Sequence, residues 1–207
     1  MLSLLASVTR QELARHAATL WQCDYITKPM WTMKGIVDLY LIVFIHIGTR
    51  RIWVSPCTAH PNATWVKQQA RNFLKHAEGI GLSAGYVMHD RDTKFTVEFD
   101  EIIKSTGAKL KKKTIQSPNL QAHVERVVQS LKHEILDYFV IVSERHLNHV
   151  CAEGVRWYNT ERGHSARDNV PPAWESAPEQ VATIKLSDVA CTTRLGGLLK
   201  HYWRRAA

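Results

Sequence analysis

Apolar and polar positions along the chain follow two periods, and each change of period marks a change of element. Residues 9–20 (TRQELARHAATL) set Leu13, Ala17 and Leu20 at helical spacing and predict a helix. LWQCDYI at 20–26 reads as a first strand, and IVDLYLIVFIHI at 36–47 as a long second one. The uninterrupted apolar run 39–45 is too short to span a bilayer, and its length and β-branched residues suit a fully buried strand. Gly48-Thr49-Arg50 predicts a tight turn into a third, antiparallel strand at 51–58. Pro61 is placed to open a helix over 62–76, where Trp65, Ala70, Phe73 and Leu74 form one stripe. A short strand at 84–90, a helix at 94–106 stopped by Gly107, and another short strand follow. Ser117-Pro118 is a cap-then-proline helix opening for a helix to about Leu136, and a last helix covers 144–159.

Three leading antiparallel strands followed by strand–helix alternation predict an α/β fold, a mixed five-stranded sheet with helices on both faces. That order is the ribonuclease-H-like arrangement, although the pattern alone is shared with other α/β folds. Beyond residue 160 the chain is punctuated by Gly and Pro, and 193–205 is basic with a weak helical pattern. The expected division is an N-terminal helical extension at 1–19, a core at 20–165 and a basic C-terminal tail at 166–207.

Composition sharpens this only in places. A hydrophobic share of 45% and a charged share of 22% are those of an ordinary globular protein. The balance of 27 basic against 19 acidic residues, formally +8, makes a polyanionic partner such as nucleic acid plausible. The four cysteines form no CxxC pair and the 11 histidines show no zinc-finger spacing, so reduced, mostly buried thiols in a cytosolic protein are expected. Residues 1–5 are apolar but lack a basic leader, and no membrane segment is expected.

Three acidic residues stand where chemistry would want them. Asp24 lies within the first apolar strand, where a carboxylate must be solvated, paired or bound to metal. Asp90 ends the fourth strand, a common ligand position in open α/β sheets. Glu125 shares a helix face with Gln129 and Lys132, beside an apolar face of Val124, Val127, Val128, Leu131 and Ile135. Each acid alone has an ordinary structural explanation; the combination carries the argument. The basic run 109–113, with Lys111, Lys112 and Lys113, could track phosphates or be a solvated charge run.

HDRDTKF at 89–95 resembles the second catalytic block of retroviral-type integrases and insertion-sequence transposases, and SPNLQAHVERVVQSLKHE at 117–134 resembles the third. WQCDYI at 21–26 is similar to the first block, and WYNTERGH at 157–164 to the closing YN..R.H signature of bacterial members. The 34 residues between Asp90 and Glu125 match the family's spacing. The resemblance covers about residues 20–165 and is to the DDE-type integrase and transposase catalytic core.

It implies that Asp24, Asp90 and Glu125 are catalytic ligands of Mg²⁺ or Mn²⁺, two ions in all, and that Lys132, with Arg126, approaches DNA. Two such ions, roughly 3.5–4 Å apart, can hold the entering and leaving oxygens of an in-line phosphoryl transfer. Asp24, on the most rigid element, is the expected bridging ligand. The implied activity is DNA strand cleavage and strand transfer during integration of a mobile element. The implied partners are element ends, target DNA and further copies of the chain, in a bacterial cytoplasm and at its nucleoid. The resemblance has departures. His46 stands where many relatives carry Asp, and only about 20 residues precede Asp24, where relatives carry a helix-turn-helix. Recognition of element ends is therefore expected from a separate helix-turn-helix subunit or the basic tail. The alternatives are a truncated, catalytically inactive remnant that only binds DNA, and a structure-selective nuclease without a joining step.

Overall fold

β1 (Leu20–Thr32), β2 (Gly35–His46) and β3 (Ile52–Val54) form an antiparallel meander. β4 (Tyr86–His89) pairs in parallel with β1, and β5 (Lys109–Lys112) in parallel with β4, giving the sheet order β3-β2-β1-β4-β5. This is the mixed, ribonuclease-H-like five-stranded sheet expected from the element order. The computed structural model describes residues 15–112, 121–177 and 183–205.

Alternation along β1 and β2 sends side chains to two separate cores. Trp21, Cys23, Ile42, Phe44 and Val87 point to one face, where α1 (Ala63–Gly79) and α2 (Val97–Ser105) bring Phe73 and Phe99. Aromatic contacts dominate there: Phe44 stacks on Phe73 with centroids 3.9 Å apart, and Trp21 meets Phe73 edge-on at 5.0 Å. Leu20, Ile26, Leu39, Leu41, Val43 and Ile45 point to the other face. It is covered by α3 (Ala122–Glu134) and α4 (Glu144–Thr160) through Val124, Val127, Leu131, Leu147 and Val150. The run 39–45 is buried as expected, apart from the partly exposed Tyr40.

Several boundaries shift for local reasons. The third strand stops at Val54 because Pro56, lacking an N–H, cannot continue the ladder; a lone bridge between Tyr40 and Thr58 is all that remains of the expected 51–58 strand. The next helix starts at Ala63 rather than Pro61, since the Asn62 side chain accepts from Trp65 N at 2.9 Å. α2 starts at Val97 rather than 94 because residues 92–95 close a turn, with Phe95 N donating to Asp92 O at 3.0 Å. Gly107, at φ +83°, ends that segment as expected.

The Ser117-Pro118 opening lies outside the described residues, as do residues 9–14 of the predicted 9–20 helix; of the rest, residues 15–16 are helical, 17–19 turn, and Leu20 begins β1. Among the described residues no helix is long and apolar enough to cross a membrane. All four cysteines are free: Cys23 and Cys57 are buried, Cys151 half-buried and Cys191 exposed.

The largest correction is at the C-terminus. Residues 189–204 form a hairpin of β6 (Val189–Arg194) and β7 (Leu199–Arg204), not a helix. Its turn needs three consecutive residues at positive φ, Leu195, Gly196 and Gly197, and two glycines supply that at little cost. The hairpin is fixed to α4 by Arg194, which donates to Glu153 at 2.8 Å and to Glu161, and by buried Leu199.

Candidate active site

The site begins with strand register. Leu20, Trp21 and Gln22 of β1 pair in parallel with Tyr86, Val87 and Met88 of β4. Because the two strands run parallel, Asp24 on β1 and Asp90, the residue after β4 ends at His89, lie toward the same end of the sheet. Alternation puts Asp24 on the same face as Gln22. Gln22 is buried, and its Oε1 accepts from Val124 N at 3.2 Å, which pins the first turn of α3 over β1. Glu125 therefore follows directly after the residue that meets β1. The sheet and one hydrogen bond set Asp90 and Glu125, far apart in sequence, within electrostatic reach of Asp24.

Electrostatics agree with this placement. Burial pushes the Asp24 carboxyl up from 3.8 to about 6; Asp90, Glu125 and Asp92 push the same way, against the bond from Tyr25 N at 2.7 Å. Burial is the largest cause, and the acidic neighbours add negative charge on top of it. Three carboxylates supply hard oxygen donors of the kind Mg²⁺ or Mn²⁺ takes. Among the described residues, however, no three His, Cys, Asp or Glu side chains stand as a closed metal-holding group. The donor chemistry fits a divalent cation, and the carboxylates meet as a charged set rather than as a finished cage.

The 89–95 segment is built to hold Asp90 at the strand end. Asp90 Oδ1 accepts from Asp92 N at 2.9 Å, and Asp92 in turn accepts from Lys94 N and from Lys94 Nζ, each at 2.9 Å. Lys94 also lies over the rings of Tyr25 and Tyr40, 5.6 and 5.8 Å from their centroids. This ammonium beside the acids was not among the sequence candidates, although its position two residues after Asp92 is a visible signal. His89 is the other omission. It is buried, with Nδ1 on Asp90 O at 2.5 Å and Nε2 on Asp100 Oδ1 at 3.1 Å. Both partners are oxygens beside Asp90 and on α2, so His89 ties the Asp90 backbone to a helix on the opposite face of the sheet. The sequence showed no ligand spacing for it, and its role is positional.

The basic candidates fall into groups. Lys132 lies on the Glu125 flank of α3, half-exposed, two turns on. Arg126 is exposed and belongs to a different flank, with His123 and Ser130. Lys111 pairs with Met88 on β5, and its Nζ lies 5.7 Å from the Tyr86 ring, as does that of Lys109. Lys112 continues the strand, and Lys113 lies outside the described residues.

The closing block has a structural task. Asn159 Oδ1 accepts from Ile52 N and its Nδ2 donates to Ile52 O, both at 2.9 Å, so one amide side chain completes the edge of β3. Arg162 makes a two-pronged bond to Glu134 at 2.7 and 2.8 Å. His164 bonds Tyr158 O at 3.2 Å, and Tyr158 is buried. His46, expected as a departure outside the triad, is a buried latch. Its Nε2 donates to Ala18 O at 3.0 Å, its Nδ1 accepts from Thr49 N at 3.2 Å, and burial lowers its pKa.

Known proteins share this architecture. Residues 106–172 match the family model described as Integrase core domain. Among solved structures, the HTLV-2 integrase catalytic core domain in complex with magnesium is similar at 15% identity, covering 75% of this chain and 94% of that one, with a TM-score of 0.56. The simian T-cell lymphotropic virus intasome in complex with the PP2A regulatory subunit B56 gamma is similar at 13% identity, covering 90% of this chain and 66% of that one, TM-score 0.59. The catalytic core domain of BIV integrase is similar at 17% identity, covering 75% and 91%, TM-score 0.53. No functionally curated protein matches the chain significantly.

Proposed function

From the premise that the chain carries a DDE integrase-like core, we propose that it cleaves and joins DNA strands during integration of a mobile element, using divalent metal. Asp24, Asp90 and Glu125 are the catalytic ligands in this reading. The observation that supports it is electrostatic: Asp24, raised first by burial, also feels the charge of both Asp90 and Glu125. The relative solved with magnesium shares the fold and supports the choice of ion.

When bound, a pair of Mg²⁺ or Mn²⁺ ions would stabilise charge on the entering and leaving oxygens of the scissile phosphate. The chain's own residues do the rest. Asp24 must be ionised to bind a cation, and with its carboxyl raised to about 6, cation and proton compete for it. Asp90 is held by its Asp92 bond and by the His89 link, which fixes its approach without strain on the strand. Lys132, Arg126, Lys111, Lys112 and Lys113 would neutralise backbone phosphates in this reading.

The core at 20–165 would act as a homo-oligomer, because two DNA ends must be joined in one complex. Recognition of element ends would come from a separate helix-turn-helix subunit or from the 166–207 segment, in a bacterial cytoplasm at the nucleoid. The test supplies element-end duplex and target DNA with Mg²⁺ or Mn²⁺ and compares wild type with Glu125→Gln. Joined product from wild type only is expected. Equal product from both removes the assignment, and nicked DNA without joined product reduces the function to a nuclease.

A further inference from the structure

On the flank of α3 away from Glu125 lies a pocket of ≈ 380 Å³, between α3, the end of α4 and the turn after β2. Its polar lining includes Arg50, His123, Arg126, Ser130, Arg162 and His164, with no carboxylate among the lining residues. Arg162 is already neutralised by its two-pronged bond to Glu134. Arg50 and Arg126 are not: among the described residues neither has an acidic partner. The half-buried Arg50 guanidinium donates from Nη1 to His123 Nδ1 at 2.7 Å. Arginine only donates, so that nitrogen accepts, and most of the five guanidinium N–H groups remain available.

Arg50 also sits at φ +66°, a conformation that L residues seldom adopt. A turn of this shape would favour glycine or asparagine, yet it carries a long cation whose guanidinium meets His123 in the pocket wall. Positive charge gathered at one pocket, with Arg50 half-buried, is unfavourable, and an anion among these guanidinium groups reverses the sign of that interaction.

We propose that this pocket binds a phosphate group, gripped by Arg50 and Arg126 with Ser130 completing the hydrogen bonds. A forked guanidinium matches phosphate oxygens two at a time. The phosphate comes either from a nucleic-acid backbone or from a free phosphorylated molecule. As a backbone contact it rests on the DNA-joining reading above; as a phosphate site it does not. On DNA it would engage the strand about one helix width, roughly 10–12 Å, from the Glu125 flank.

The test titrates inorganic phosphate into the full chain and follows arginine side-chain Nε–Hε signals by NMR, with sodium chloride at matched ionic strength as the control. A saturable shift of the Arg50 signal is expected, weakened about tenfold or more in Arg126→Ala. Arg126 is exposed on a helix, so this variant should fold; Arg50→Gln is the second. An Arg50 shift that sodium chloride reproduces or that is unchanged in Arg126→Ala, or an Arg126 shift unchanged in Arg50→Gln, overturns the proposal. A duplex oligonucleotide then identifies the source. A DNA-backbone phosphate lowers the slope of log affinity against log salt by about 0.9 in Arg126→Ala, and an unchanged slope assigns the pocket to a free phosphate. Loss of DNA binding with phosphate binding intact would fault the DNA reading and leave the site standing.

Discussion

The two flanks of α3 are electrostatic opposites. On one, burial raises the Asp24 carboxyl, and Asp90, Glu125 and Asp92 add to it. On the other, Arg50 and Arg126 line one pocket with His123, which is held down to about 4, by burial first and then by both arginines. One helix thus separates a surplus of negative charge from a surplus of positive charge. Neither surplus helps the fold. Each is tolerated because the apolar stripe of Val124, Val127 and Leu131 anchors the helix independently. Unbalanced charge of this kind is what sites for ligands of the opposite sign are made from.

Removing the acid should have the largest effect. Glu125→Gln should cut strand joining roughly 10³-fold or more, since several kcal/mol of charge stabilisation are lost; a gel assay of joined product measures it, and a loss under tenfold would detach Glu125 from the chemistry. Next comes Asp24. Its carboxyl is raised from 3.8 to about 6 on folding. The folded chain therefore binds that proton more tightly than the unfolded chain, and without metal its stability falls as pH rises from about 4 to 6. Asp24→Asn removes the penalty and should stabilise the metal-free protein at pH 8 by about 1–3 kcal/mol while abolishing joining. Denaturant unfolding at pH 8 and pH 4 checks this, and the gain should vanish at pH 4.

A change remote from both flanks should separate folding from chemistry. Asn159→Ala leaves Ile52 N–H and C=O without their partner and should cost about 1–3 kcal/mol, seen as a lower denaturation midpoint. The smallest effect belongs to the basic side chains. Lys132→Ala should weaken binding of any duplex severalfold and lower the salt slope by about 0.9, equally for all sequences. Sequence-dependent loss would mean that Lys132 reads bases instead.

Strand order and helix order were legible because periodicity is written locally: 39–45 alternates into two cores without help from distant residues. The boundaries were less so. Pro56 stopped β3, Asn62 took the cap from Pro61, and the Asp92–Lys94 turn delayed α2. Each of these is a contest between neighbours that a count of apolar positions does not see. The C-terminal hairpin was missed for another reason. Its turn is signalled by Gly196-Gly197, but its stability comes from Arg194 on Glu153 and Glu161, 41 and 33 residues away.

The sequence by itself determined which residue types were present at which strand and helix positions, and so named Asp24, Asp90 and Glu125 before any coordinates. Only the tertiary structure decided that Gln22 would reach Val124 and set Glu125 beside β1, that His89 would tie Asp90 to Asp100, and that Arg50 and Arg126 would line one pocket. Periodicity is a property of adjacent residues and survives in one dimension. The sum of charges at a point depends on distances between segments that meet only when the sheet is assembled.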